Sequence, residues 1–242
     1  MTRHRRLERK NPTIVILNKS RGCVADEEIE RIIPALQRQV TNHFEPVWGV
    51  GAQIVFKKGR ALVPKLSYRI VVIDKARDKD DEGYLGYHFQ RNGYPIATIF
   101  AKEDLSDDKT ISVTLSHEIL EMLVDPALNL YAYRPGKGRH RRDRGYAYEV
   151  CDAVQCQLYH IDGVKVCNFV YPEWFEYAWP RSSRKNPRKF DHLGSLREPF
   201  ELLKGCYADI REVGRGWRTI WGDKATKKRR HRHDARMMQS NL

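Results

Sequence analysis

The chain has 242 residues, of which 41% are hydrophobic and 10% aromatic, enough to bury a sizeable core and too many for a disordered segment. A formal charge of +13 is unusual for an enzyme of small metabolites and favours an anionic partner such as nucleic acid, a phosphate surface or an acidic polypeptide. No window approaches the ~20 apolar residues of a membrane span, and the first apolar run is shorter than the ~7–15 residues of a signal peptide.

Residues 1–12 are basic and poor in large apolar side chains, and read as a tail. Residues 13–17 are a β-branched run with the length of a buried strand. From 25 to about 48, Ile29, Ile32, Ile33, Leu36, Val40 and Phe44 recur at helical spacing, with Asp26, Glu27 and Glu28 where the positive end of the helix dipole favours them. Pro34 is expected to kink or split that helix. Residues 53–58 and 67–74 read as strands and 75–83 as a charged loop; 84–89 and 94–101 read as a further strand pair or an irregular edge, joined by Asn92-Gly93, with 94–101 as the edge strand against which a substrate would lie. A helix then runs from about 110 to 124, stopped by Asp125-Pro126.

Beyond it the pattern changes to short strands and loops rich in Gly, Pro and aromatics. Asp162-Gly163 sits between apolar runs 158–161 and 164–170 and signals a hairpin. Residues 199–203 suggest one helical turn, 207–221 suggest two strands around Gly214 to Gly216, and 224–242 form a second basic tail. The expected organisation is a tail at 1–12, a first subdomain at 13–126, a second at 127–223 and a tail at 224–242. Five cysteines without regular spacing argue against a secreted disulfide framework and for a soluble protein of the reducing cytoplasm.

The chemistry concentrates in His117-Glu118-Ile119-Leu120-Glu121. At ~100° per residue, Glu121 falls about 40° and Glu118 about 100° from His117, while Ile111, Leu115, Ile119, Met122 and Leu123 cluster opposite. His117 and Glu121, one turn apart, can grip a single ion, and Glu118 beside them can act as base on a bound water. This is the HExxH zinc helix with Glu in place of the second His. The competing reading is an amphipathic helix with a solvated acidic face. A third ligand is sought in Tyr148-Glu149-Val150-Cys151-Asp152. If that segment is helical, Glu149 and Asp152 share a face; Glu149 is favoured as ligand for its reach, with Asp152 behind it orienting His117. Asp125, ~12 Å along the helix, is the poorer candidate.

At these residues the chain resembles uncharacterised zincin-like proteins of bacteria and phages, and is more distantly similar to the plant EXORDIUM (phosphate-induced) family, whose matching segments also pair an HExxE helix with a later Glu and Asp. Leu85-Gly86-Tyr87-His88, Asn168-Phe169-Val170 with Pro172 and Trp174-Phe175, and Phe190 to Gly194 through Gly205 and Tyr207 extend the resemblance over roughly 83–207. It implies a metallopeptidase-like α/β (α+β) fold: a mixed twisted sheet, two packed helices including the HExxE helix, and an irregular C-terminal half. No substrate follows from it.

The expected function is metal-assisted hydrolysis of a peptide or protein. Zn²⁺ would sit on His117, Glu121 and Glu149, Glu118 would serve as general base, and His88 or Tyr148 would stabilise the oxyanion. The alternative is a basic nucleic-acid-associated or phage virion protein that retains an inactive zincin scaffold. It would bind through Lys137, Arg139, Arg141, Arg142 and Arg144, through residues 181–189 and through the C-terminal tail. A structural zinc site from Cys151, Cys156, His160 and Cys167 is a third reading, with buried free thiols as its rival.

Overall fold

The computed structural model describes residues 11–58, 62–76, 84–106, 110–136, 142–212 and 214–223. The basic tails, apart from Asn11 and Pro12, the loop at 77–83 and the cluster Lys137, Arg139 and Arg141 lie outside those residues. The first apolar run forms β1 (Thr13–Asn18), whose four central residues are buried. The helical spacing that follows gives α1 (Asp26–Arg38), with its three acids in the first turn and Ile29, Ile32, Ala35 and Leu36 buried. Pro34 does not split it. The proline faces solvent, where a missing N–H costs no buried partner, and α1 passes through it. The change of pitch comes later, in a π-helical turn at Gln39–Phe44 that leads into α2 (Glu45–Trp48). Gln39, 1% exposed, uses its Nε2 there to donate to the Cys167 carbonyl at 2.9 Å and to Tyr159 Oη at 3.2 Å.

β2 (Gln53–Lys57), β3 (Tyr68–Ile73), β4 (Gly86–Arg91) and β5 (Tyr94–Phe100) complete a five-stranded sheet in the order β2-β1-β3-β5-β4. All neighbours are parallel except β4 against β5. The hairpin turn Asn92-Gly93 has φ of 52° and 78°, the doubly positive geometry that matches strand twist and that Asn-Gly tolerates. The edge strand is therefore β4, not residues 94–101 as expected. β5 pairs with β3 on its other side, so its hairpin partner must lie outermost.

α3 (Ala101–Ser106) leads to α4 (Ile111–Val124), which packs on β4, β5, α1 and the later hairpin. Residues 111–123 are all buried, so the solvated acidic face is not found. Asp125 ends α4 by accepting the backbone N–H groups of Asn129 and Leu130 at 3.1 and 3.0 Å.

In the second half, β6 (Tyr131–Arg134) and β7 (Arg144–Ala147) join β10 (Tyr207–Glu212) and β11 (Gly216–Trp221) in an antiparallel sheet of order β11-β10-β7-β6. β8 (Leu158–Ile161) and β9 (Val164–Cys167) pair around Asp162-Gly163. The helical turn expected at 199–203 is absent; Phe200 has φ of 59°, outside helical space. The chain is α+β, and its buried apolar cluster draws on both halves, from Ile14 and Ile119 to Phe169 and Ile210.

Trp174, 1% exposed, anchors the second half. Its Nε1–H donates to the Glu201 carbonyl at 2.8 Å, and its ring meets Tyr146, Phe175 and Phe200. Trp174→Ala is expected to cost about 3–5 kcal/mol, read as a lower denaturant midpoint with an unchanged slope.

Candidate metal centre

α4 is fixed from two sides by hydrogen bonds of its own hydroxyl side chains. Ser116 Oγ donates to the Val113 carbonyl at 2.8 Å and accepts the Cys167 N–H at 2.9 Å, while Ser112 Oγ donates to the Lys165 carbonyl at 2.7 Å. These bonds hold β9 along the helix. On the other flank Thr114 Oγ1 donates to Asp104 Oδ1 at 2.8 Å. On β4 the alternation of strand side chains turns Gly86 and His88 inward and leaves Tyr87 and Phe89 half-buried. A Cβ at Gly86 would stand 3.0 Å from the Thr98 carbonyl oxygen and 3.4 Å from Glu118 Oε1, so the glycine lets the strand approach the helix at the level of Glu118.

The segment after β7 brings the third element. It is not a helix as expected: a turn leads into a short 3₁₀ stretch at Asp152–Val154, so Glu149 and Asp152 do not share a helical face. The result reverses the preference between them. His117 Nε2 stands 3.1 Å from Glu121 Oε2 and 3.4 Å from Asp152 Oδ1, and one donor atom from each of the three lies within 4.8 Å of the others. Glu149 is buried and raises the proton affinity of Glu121 and His88 through its charge, but it is not in that group. Glu121 is held at both oxygens: the Cys151 N–H donates to Oε1 at 3.2 Å while Oε2 faces His117.

Glu118 and His88 form a second pair. His88 Nδ1–H donates to Glu118 Oε2 at 3.2 Å, with both side chains fully buried, and His88, Glu118 and Glu121 each offer a donor atom within 4.8 Å of the others. His88 thus touches the expected base. The ring of Tyr148, half-buried, stacks on Phe175 at 4.1 Å and meets Trp48 edge-on. The tyrosine that reaches the centre is Tyr207 of β10, fully buried and hydrogen-bonded to Asp152. Sequence reasoning gave it no role, because nothing local to β10 ties it to a residue 55 positions earlier.

The electrostatics follow from burial. Burial alone pulls the His117 imidazole down, but Glu121 and Asp152 outweigh it and hold its pKa well above the usual value. Burial pushes the Glu121 carboxyl up, against the opposing pull of His117 and with help from Asp152 and Glu149, to about 8. Carboxylates at 0–1% exposure lack water to solvate their charge, and a partner cation or a proton must replace it. The donor set fits a divalent cation: one imidazole nitrogen and two carboxylate oxygens from two separate elements.

His117 also has sulfur neighbours. Cys151 Sγ and Cys167 Sγ lie 3.5 Å apart, and both fall within 4.8 Å of a His117 nitrogen. They fit a metal unevenly, since a sulfur ligand must be deprotonated: burial and the hydrogen bond to Cys167 push the Cys151 thiol well up, while for Cys167 burial is outweighed by the hydrogen bond to Cys151 and the charge of His117, which bring the thiol down. The structural zinc site expected from Cys151, Cys156, His160 and Cys167 does not assemble: Cys156 is bonded to Cys206, so it is not a free thiol, and His160 is exposed on β8. Two motif residues beyond the site prove to be braces. Asn168 Nδ2 donates to Asp191 Oδ2 at 2.7 Å, and Asp191 Oδ1 accepts the Leu196 N–H at 2.8 Å.

No described helix is long and apolar enough to cross a membrane. Compared with family models, curated proteins and solved structures, the chain finds no match in any of the three.

Proposed function

We propose that this chain is a metal-dependent hydrolase of zincin-like type, in which His117, Glu121 and Asp152 hold a divalent cation, Zn²⁺ first among candidates, and a peptide is the substrate. The observation that carries the reading is the convergence of His117 Nε2 on Glu121 Oε2 at 3.1 Å and Asp152 Oδ1 at 3.4 Å, all at most 1% exposed. The order of strand, helix, two strands, hairpin and helix along residues 13–124 is the element order of zincin metallopeptidases and supports the reading. When bound, such an ion supplies Lewis acidity toward a carbonyl oxygen and makes a water more acidic. A second carboxylate in place of a second histidine makes that water less acidic and moves the preference toward harder ions.

The chain's own groups divide the remaining work. Glu118, with a carboxylate oxygen within 4.8 Å of one from Glu121, is placed to take a proton from water and return it to the leaving amine. His88 is a positioning residue that holds Glu118 Oε2. An extended peptide would add to the edge strand β4, alongside the residues that face Glu118. Tyr207 steadies Asp152 by hydrogen bond.

Elemental analysis of the purified full chain tests the donor set. Wild type is expected to carry one equivalent of metal, and His117→Ala/Glu121→Ala and Asp152→Ala less than about a tenth of that, as loss of two or of one of the three ligands implies. Glu149→Gln and Cys151→Ser/Cys167→Ser should keep it. Metal lost from the double serine variant but kept by Asp152→Ala would overturn the assignment.

A further inference from the structure

Glu121 belongs to two sets of ligand atoms, of which the hydrolytic centre needs one. It combines with His117 and Asp152 on one side and with His88 and Glu118 on the other, and within each set the three donor atoms lie within 4.8 Å of one another. The helix explains the sharing. His117 and Glu118 precede Glu121 by four and three residues, so both neighbour it on the helix surface. β4 then delivers His88 to Glu118, with Nδ1 at 3.2 Å from Oε2, while the 3₁₀ stretch delivers Asp152 to His117 at 3.4 Å. Each flank of Glu121 thus offers one imidazole and one further carboxylate, the same donor set twice over. An ionised carboxylate has two oxygens and about four lone-pair sites, so Glu121 can serve both.

Charge favours more than one cation here. Glu118, Glu121, Glu149 and Asp152 are at most 3% exposed, and no lysine or arginine is buried among the described residues. Glu149 acts on both sets, since its charge raises the proton affinity of His88 and of Glu121. Buried carboxylates need protons or cations close by. One divalent cation beside two neutral imidazoles balances two of these four carboxylates and leaves the other two dependent on protons; two divalent cations balance all four. Ions that share one carboxylate repel each other, so the second is held more weakly than the first and enters only when metal is in excess.

We infer that His88, Glu118 and Glu121 form a second divalent-cation site, joined to the first through Glu121, whose filling switches hydrolysis off. The switch rests on the reading of Glu118 as the base of a hydrolase; the site itself does not. With a cation on Glu118, the lone pairs that accept a proton from water are engaged, and the proton shared by His88 Nδ1 and Glu118 Oε2 is released to solvent. The chain then works at one equivalent of metal and stops at two.

The test is equilibrium dialysis of the full chain against zinc, from below one equivalent to a large excess, with bound zinc and peptide hydrolysis measured on the same samples. Bound zinc should rise from one equivalent to two, and hydrolysis should fall by about 10²-fold or more as the second enters, as loss of the base implies. Glu118→Gln and His88→Gln should each stop at one equivalent, and His88→Gln should lose the inhibition, judged against its own rate at one equivalent. Cys151→Ser/Cys167→Ser should still reach two, and Glu121→Gln should hold neither ion tightly. Because His88 and Glu118 are fully buried, retention of the first equivalent is the check that either variant has folded. Manganese in place of zinc gives a readout on the wild type alone: two ions on a shared carboxylate, at the ~3.5–4 Å of two-metal sites, show a spin-coupled resonance. The site is overturned by wild-type binding that stops at one equivalent in excess zinc, by a second equivalent that persists in both Glu118→Gln and His88→Gln, or by two manganese ions without coupling. Two equivalents with undiminished hydrolysis would overturn the switch. Two-step binding with no hydrolysis at any zinc level would remove the hydrolase reading, and the switch with it, while the site stands.

Discussion

Glu118→Gln is expected to lower peptide hydrolysis by about 10²–10⁴-fold, the usual contribution of a positioned general base, while metal content stays at the wild-type level. The substitution keeps the shape and the hydrogen-bonding capacity of the side chain, so the contact from His88 Nδ1 at 3.2 Å retains an acceptor. What it removes is the proton-accepting charge. His117, Glu121 and Asp152 are untouched, and the group they form should load as before. Measured on a mixture of quenched fluorescent peptides, with metal determined on the same samples, the result separates two failures. Undiminished hydrolysis with full metal would remove Glu118 as the base. Loss of metal together with activity would make Glu118 a ligand instead.

Zinc is expected to raise the unfolding temperature by roughly 5–10 °C near pH 8.5 and by far less near pH 5.5. The figure follows from about 2.7 kcal/mol at a hundredfold excess over Kd and ~2–4 °C per kcal/mol for a chain of this size. The pH dependence follows from the protons. In the metal-free chain, burial pushes the Glu121 carboxyl from 4.5 to about 8, so between those values the folded state keeps a proton that the unfolded state has released. Stability of the metal-free protein therefore falls as pH rises through that window. His117, raised well above 6.5 against the pull of burial by Glu121 and Asp152, acts in the same direction: its contribution is full below about 6.5 and lost as pH climbs through the raised value. Once the protons have gone, the cation takes over their role; at low pH it must displace them. Equal stabilisation by zinc at both pH values, or flat stability of the metal-free chain across the window, would show that these buried groups do not act as one proton- and cation-binding cluster.

Periodicity carried much of the fold. The runs that became β1, α1, α4 and the two hairpins were set by local pattern, and both hairpins turn on an Asn-Gly or Asp-Gly pair with positive φ at both residues. His117, Glu118 and Glu121 were equally legible, because one turn of helix fixes their relative placement whatever surrounds them. Pro34 was misleading for a local reason: a proline breaks a helix where its missing N–H and its ring fall on a packed side, and the sequence does not say which side is packed.

What lay beyond the sequence was how elements distant along the chain pack on one another. That β4 and not β5 forms the sheet edge depends on β3 having claimed the other side of β5. That Asp152 and not Glu149 meets His117 depends on the turn after β7, and the place of Tyr207 beside Asp152 depends on where β10 lies. Even the environment of the acidic helix face, where solvent was a reasonable expectation, was set by β4, β9 and the 148–152 segment closing over it. A helix or a tight turn is determined by neighbours a few residues away, whose geometry the sequence encodes directly. Burial, ligand choice and proton affinity are fixed by which surfaces exclude water together, and only the assembled chain decides that.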